Sequence, residues 1–165
     1  MTTLGIDLGT GSVKAAVVSS KGAILSHASK TYSVESPSPG WAESDPAQWL
    51  HAAEEVAQEA IRLSPQAPVA VGFSGQMHGV VIADAFFTPL RPAILWADTR
   101  SAAQAQQMND ELGSLEMAKL GSAAVAGFAA TTLAWLMQHE PEVMARAHHV
   151  LQPKDWLRMA LGGKI

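Results

Sequence analysis

Cysteine is absent from this sequence of 165 residues, so the chain can form neither a disulfide bond nor a thiolate metal site. Its absence is typical of a reducing compartment, and we expect a cytoplasmic protein. No apolar run approaches the ~20 residues that a membrane-spanning helix needs. The first residues also lack the basic and apolar pattern of a signal peptide. We therefore expect no membrane partner.

Positive charge is also scarce. Lys and Arg number 11 against 15 Asp and Glu, which gives a formal net charge of −4, and the sequence has no basic cluster. A nucleic-acid-binding surface needs such a cluster to neutralise phosphates, so we expect no nucleic-acid partner. The sequence does contain enough apolar residues for about one domain with a buried core.

The most informative stretch is a glycine-rich turn between two short apolar runs, residues 4–8 and 13–18. The runs predict two β-strands, joined by Gly9-Thr10-Gly11-Ser12. The glycines tolerate a positive φ and let a ligand approach the backbone, while amide N–H groups and hydroxyls can surround phosphate oxygens. Asp7 ends the first strand, where a carboxylate can hold a hydrated Mg²⁺, and Lys14 adds positive charge.

Two better-known phosphate motifs are excluded at this turn. The Gly-x-x-x-x-Gly-Lys-Ser/Thr spacing of a Walker A loop is absent, and a strand follows the glycines where a Rossmann turn requires a helix. A plain glycine hairpin with a capping Asp accounts for the same residues. Spacing alone leaves the phosphate site and the plain hairpin both open.

Residues 7–14 resemble the first phosphate loop of the ATPase superfamily that includes sugar kinases, actin and heat-shock proteins. The whole chain resembles the amino-terminal part of the FGGY carbohydrate kinases, within their xylulose-kinase branch. The resemblance implies an α/β ribonuclease-H-like fold, the cofactors ATP and Mg²⁺, and a metal- and phosphate-positioning role for Asp7. It assigns the phosphates of ATP to Gly9, Thr10, Gly11, Ser12 and Lys14.

The elements expected after the turn fit that fold. A third strand is predicted over 23–31. Asp45 and Pro46 suit the N-cap and first position of a helix, with Gln48 completing a capping box. The apolar stripe of this helix is Trp49, Ala53, Val56, Ala60 and Leu63. Residues 68–74 predict a buried strand, and three strands, a helix and a strand are the order of a ribonuclease-H-like domain.

The predicted buried strand ends in the loop Gly75-Gln76-Met77-His78-Gly79. Ligands of α/β sheets tend to bind beyond the carboxyl ends of strands, and a neutral His both donates and accepts hydrogen bonds, which suits a polyol. A lone His in a loop is also a common structural hydrogen bonder. In the xylulose-kinase branch this loop binds the sugar, so the resemblance implies that Gln76, Met77 and His78 contact the substrate.

Residues 94–100 are the second close match to the family. The resemblance implies that Asp98 lines the substrate pocket. From the residues alone, Asp98 or Ser101 would cap a helix expected over 102–112, and Trp96 suits a core as well as a pocket wall.

A hairpin is expected to pair residues 80–83 with 93–96. Its connection carries Phe86 and Phe87 where the family has a Gly or Asn turn. Two adjacent Phe residues either pack on a neighbouring element or mark a contact surface, and we expect no effect on the chemistry.

The remainder of the chain, residues 115–165, is expected to be helical. A helix over 129–139 matches the family, but Thr132 stands where a Lys is usual. That difference argues against a contribution of this helix to the pocket.

The resemblance implies an ATP-dependent phosphotransferase that acts on the C5 hydroxyl of D-xylulose. It also implies that residues 1–165 are only the amino-terminal part of the first, sugar-binding domain. The segment that carries the family's catalytic base would follow residue 165, so this chain alone is expected to be inactive. A homodimer of the full-length protein stays open. The alternatives are a kinase for another ketose or polyol and a non-catalytic ribonuclease-H-like module that binds a nucleotide or a partner.

Overall fold

The computed structural model describes residues 1–162, without the side chains of residues 114, 115 and 117. The elements in chain order are β1 (Thr2–Leu8), β2 (Ser12–Ser19), β3 (Ile24–Thr31), β4 (Glu43–Ser44), α1 (Pro46–Leu63), β5 (Ala70–Gly75), β6 (Gly79–Ala83), β7 (Ala93–Leu95), α2 (Ala102–Glu111), α3 (Ser114–Leu120), α4 (Ala129–His139), α5 (Pro141–Arg146), β8 (His149–Leu151) and α6 (Pro153–Ala160). The last three residues of the predicted helical part, 163–165, lie outside the described residues.

The described chain divides into two compact units. The first unit comprises residues 1–34, 45–77 and the described residues from Gln152 onward. The second unit comprises residues 35–44 and 78–151. Each unit holds a four-stranded sheet with helices, which agrees with the expected α/β class.

The sheet of the first unit has the strand order β3-β2-β1-β5. β1, β2 and β3 form an antiparallel meander and β5 runs parallel to β1, as in a ribonuclease-H-like domain. Side chains alternate between the two faces of a strand. Leu4, Ile6 and Leu8 are therefore buried on one face, while Asp7 is exposed on the other.

Helix α1 packs its apolar stripe against the buried face of this sheet. Asp45 is the N-cap, as predicted, and its carboxylate accepts from the amide N of Ala47 at 2.9 Å. Gln48, predicted to complete a capping box, instead accepts from the hydroxyl of Ser33 through its side-chain oxygen. The predicted stripe is buried except at Leu63, which is half exposed at the last turn.

Strand β5 forms close to its predicted position, but the prediction that it is buried was wrong. Val71 is 53% exposed, and most of the strand is open on both faces. β5 is the edge strand of the sheet, so a continuous apolar run did not mean that neighbours cover both faces.

The second unit is built on the strand order β4-β7-β6-β8. β6 and β7 pair antiparallel, which confirms the predicted hairpin. A core of four buried residues lies between this sheet and helix α4: Val80, Ile82, Ile94 and Leu136. Strand β8 was missed, since residues 115–165 were predicted to be helical throughout; its three residues pair with β6.

Among residues 1–162, no helix combines the length and the apolar character needed to cross a membrane.

Candidate functional site

The glycine turn closes the β1–β2 hairpin. The amide N of Gly9 donates to the carbonyl oxygen of Ser12 at 2.9 Å. Neither Gly9 nor Gly11 uses the positive φ that glycine permits. Glycine at position 9 is instead favoured by space, because a Cβ there would lie 3.0 Å from the Ser12 carbonyl oxygen.

A polar row crosses the outer face of the first sheet next to this turn. Asp7 lies opposite Lys14 on β2 and opposite Ser74 on β5, and Lys14 lies opposite Ser29 on β3. All four residues are exposed and line an open cavity of about 650 Å³. The next row along the sheet consists of the small residues Gly5, Ala16 and Gly72, with His27 beside Ala16 on β3.

The surroundings of Asp7 suit a metal that arrives with an anion better than a metal held by protein alone. No group of three His, Asp or Glu within the described part of the chain could hold a metal ion. A Mg²⁺ at Asp7 would take its remaining ligands from water and phosphate, which is the usual arrangement for this ion. Lys14 supplies positive charge on the neighbouring strand.

Tyr32, which the sequence analysis did not single out, lies beside the turn. Its hydroxyl donates to the carbonyl oxygen of Gly9 and lies 3.1 Å from that of Ser12. Burial raises the pKa of the Tyr32 phenol, and the negative charge of Asp7 raises it further, so the hydroxyl stays protonated. The predicted meander could have pointed to Tyr32. A third strand that pairs antiparallel with the second ends beside the turn, and Tyr32 follows it.

Gln76 also lies at the turn. Its backbone amide donates to the carbonyl oxygen of Leu8 at 2.9 Å, and its side-chain amide lies 3.5 Å from the carbonyl oxygen of Gly9. The side-chain oxygen of Gln76 is buried and has no partner among the described residues. This close contact depends on Gly75, where a Cβ would lie 2.7 Å from the Leu8 oxygen. Met77, the next residue, is 70% exposed.

In the second unit, His78 stacks on Phe128. The ring centroids are 4.1 Å apart and the planes differ by 7°. Stacking holds the imidazole by its face and leaves the two ring nitrogens at the edge. Phe128 was not predicted to take part in the site, and no local pattern marks it as a partner of His78.

Gly127 places Phe128 for this contact. Gly127 has φ +82°, and a Cβ there would lie 2.1 Å from the carbonyl oxygen of Trp96. Trp96 itself is 53% exposed, which excludes it from the core. Thr132, at the position of the family's Lys, is buried.

Asp98, predicted to line the substrate pocket, is buried in a network of its own. It is 1% exposed, and its carboxylate accepts from the amide N of Ala42 at 2.6 Å and from Arg100 at 2.7 and 2.9 Å. These contacts make Asp98 part of a buried ion-pair network and leave little of it for a substrate. The capping alternative holds for position only: Ser101 occupies the N-cap of α2 but makes no side-chain cap hydrogen bond, and Asp98 lies outside that position.

Arg100 is the centre of that network. Its guanidinium lies 3.6 Å from the ring centroid of Trp41 and 5.1 Å from that of Trp135, and it pairs with Glu43 at 2.7 Å. Its side chain is 1% exposed. A cation enclosed in this way by rings and carboxylates is engaged in contacts within its own unit.

Comparison with known proteins agrees with this architecture. The family described as "FGGY family of carbohydrate kinases, N-terminal domain" matches residues 2–165. The xylulose kinase of Lactococcus lactis is 36% identical over 165 residues, which cover 98% of this chain and 33% of that protein. This chain spans about a third of the length of the curated relatives that it matches.

Two solved structures share the fold. A "xyloylose kinase" from Brucella ovis superposes with a TM-score of 0.90 at 38% identity, covering 96% of this chain and 34% of the other. The xylulose kinase from Rhodospirillum rubrum gives a TM-score of 0.91 at 29% identity, with 96% and 33% covered.

Proposed function

Since the chain belongs to the FGGY family of carbohydrate kinases, we propose that it is the amino-terminal part of a two-domain kinase. The proposed reaction transfers the γ-phosphoryl group of ATP to the C5 hydroxyl of D-xylulose. The names of the similar proteins support this substrate, and the family supports ATP with Mg²⁺ as the donor. The use of ATP is consistent with a cytoplasmic location.

The observation that carries the proposal is the convergence of Asp7, the glycine turn and Gln76 at one end of the first sheet. In phosphoryl transfer the protein mainly positions groups and neutralises charge. Asp7 would hold Mg²⁺ directly or through water. Lys14 and the turn residues Gly9, Thr10, Gly11 and Ser12 would line the path of the phosphates.

The proposed sugar contacts come from the loop after β5. His78 presents the edge of a stacked ring, which can donate to one hydroxyl and accept from another. Met77 is exposed enough to meet a ligand. Gln76 keeps its proposed sugar contact, and its side-chain amide, 3.5 Å from the Gly9 carbonyl oxygen, links the sugar loop to the turn. Asp98 is left out of the substrate contacts because its oxygens are already bonded.

The chain spans about a third of the length of its relatives, so the reaction is proposed for the intact protein. In the family the base that accepts the hydroxyl proton lies in a later segment, so residues 1–165 alone should not turn over. Activity is therefore measured on the intact protein. A homodimer of that protein belongs to the proposal and is read from its mass by light scattering.

The test is a panel of ketoses and polyols, assayed with MgATP and the intact protein. Phosphorylation of D-xylulose with the highest kcat/KM is the expected result. A preference for another ketose or polyol would overturn the substrate while keeping the kinase. ATP turnover without any sugar dependence, or no turnover at all, would favour a module that only binds a nucleotide or a partner.

A further inference from the structure

We propose that Tyr32 is a positioning residue of the glycine turn, which holds the turn's carbonyl oxygens away from the side where phosphates would bind. This inference rests on the proposed function for the identity of the ligand. The turn and Tyr32 belong to the same unit. The contacts between them therefore hold whatever ligand the turn binds.

Three of the four carbonyl groups of the turn face Tyr32. The phenol hydroxyl donates to Gly9 and lies 3.1 Å from the oxygen of Ser12. The backbone amide of Tyr32 donates to the carbonyl oxygen of Gly11 at 3.2 Å. Tyr32, next to the end of β3, therefore contacts three of the carbonyl oxygens of the turn.

This arrangement has an electrostatic consequence. Every peptide bond in the turn is trans, so a carbonyl that faces Tyr32 directs the N–H of the same peptide away from Tyr32. A carbonyl oxygen turned outward would meet phosphate oxygens of like charge, whereas an N–H dipole attracts them. Tyr32 thus keeps the surface that the turn offers to an anion electropositive.

A flexible turn needs such a restraint. Gly9 and Gly11 lack a side chain that would limit rotation of their peptide groups. Rotation of either peptide would exchange an N–H for a carbonyl on the phosphate side. The hydrogen bonds to Tyr32, with the side-chain amide of Gln76 at 3.5 Å from the Gly9 oxygen, oppose that rotation.

Tyr32 is itself held by packing. Its ring lies 6.4 Å from the ring of Trp49, which is fully buried on helix α1. Replacing the residue by Phe keeps this ring contact and removes only the hydroxyl. The substitution therefore separates the hydrogen bonds from the packing.

The first measurement is steady-state kinetics of the intact protein with Tyr32→Phe. We expect the KM for MgATP to rise about 5- to 10-fold, as the loss of roughly one hydrogen bond predicts. The KM for D-xylulose should change less than about twofold, because the sugar loop is untouched. Ser33→Ala is the matched control, since it removes a neighbouring hydroxyl that bonds to Gln48; both constants should stay within about twofold.

The second measurement needs no kinase activity. Amide hydrogen exchange of residues 9–13 should become about tenfold faster in Tyr32→Phe, while exchange in the middle of β1 and β2 stays the same. ATP affinity measured by calorimetry on the intact protein should fall by the same factor as the KM changes.

The outcomes separate this inference from the proposed function. Unchanged exchange at the turn together with unchanged ATP affinity would overturn the role of Tyr32. Equal rises in both KM values would overturn it too, because they indicate a general structural role. If D-xylulose is not phosphorylated but Tyr32→Phe still weakens ATP binding and loosens the turn, the proposed function fails and the inference about Tyr32 stands.

Discussion

Asp7 in the first unit and Asp98 in the second unit have similar sequence surroundings, yet the structure gives them opposite environments. Each is a single carboxylate at or just after the end of a short apolar strand. Asp7 is exposed in a polar row beside a glycine turn. Asp98 is buried, with its oxygens bonded to Arg100 and to the backbone of Ala42.

The two units differ in how exposed their charged side chains are. The first unit leaves Asp7 and Lys14 exposed, and it uses backbone carbonyls and Tyr32 to shape the turn. The second unit buries Asp98, Arg100 and Glu43 among tryptophan rings. An exposed charge is available to a ligand, whereas a buried ion pair is already committed to the fold.

The largest expected effect follows from the exposed member of the pair. Asp7→Asn in the intact protein should lower kcat by about 10³-fold or more, about 4 kcal/mol of barrier, because the metal loses its anionic ligand. Thermal stability should change little, since the side chain is exposed. Asp110→Asn, an exposed carboxylate on α2 that accepts from Gln106, is the control and should keep full activity. Near-normal turnover of Asp7→Asn would remove Asp7 from the mechanism.

Substitution of the buried carboxylate, Asp98, should lower the stability of the protein. Asp98→Ala leaves the guanidinium of Arg100 buried with Glu43 as its remaining ion-pair partner, and we expect a loss of about 3 kcal/mol in the free energy of unfolding. Urea denaturation measures this. Asp155→Ala breaks a partly exposed pair with Lys154 and should cost less than about 1 kcal/mol. Equal losses in the two variants would contradict the contrast between buried and exposed charge.

A third test asks whether His78, in the second unit, affects the kinetic constants for the ketose but not those for ATP. His78→Ala should lower kcat/KM for D-xylulose about 30-fold, about 2 kcal/mol, because hydrogen bonds to the ketose are lost. The KM for ATP should not change. His51→Ala, which removes an exposed imidazole paired with Glu55, provides the control. Unchanged constants for the ketose would mean that the loop is only structural.

The smallest expected effect is a pH dependence of stability from Tyr32. The folded protein holds the phenol proton more tightly than the unfolded chain, because burial raises its pKa. The stabilising contribution is complete below about pH 10 and is lost as the pH rises toward the raised value. Between pH 10 and 11 the loss should be about 1 kcal/mol or less, since the ring is partly exposed.

A comparison of the wild-type chain with Tyr32→Phe separates the contribution of the Tyr32 phenol to stability from the effects of lysine titration. The sequence contains one tyrosine, so phenolate absorbance near 295 nm also reports on Tyr32 directly. Ionisation at about pH 10 in the native protein would contradict the described burial.

Features that depend on neighbouring residues were predicted well from the sequence. The β1–β2 turn and the N-cap at Asp45 each follow from adjacent residues. Such signals act within one turn of the chain, so a single sequence is enough to find them.

Features that depend on distant partners were missed or misassigned. The burial of Asp98 requires Ala42, 56 residues earlier in the chain. Phe128 supports His78 only because Gly127 packs against Trp96. The exposure of β5 depends on its place at the edge of the sheet. None of these pairings leaves a periodic or compositional trace.

The placement of the five tryptophans makes the two units optically distinguishable. Trp49 and Trp156 lie 6.3 Å apart in the first unit, while Trp41 and Trp135 enclose the guanidinium of Arg100 in the second. Replacing either pair by Phe leaves emission from the other, with Trp96 as a surface reporter. Fluorescence can therefore show whether the two halves of this chain melt in a single transition or one after the other.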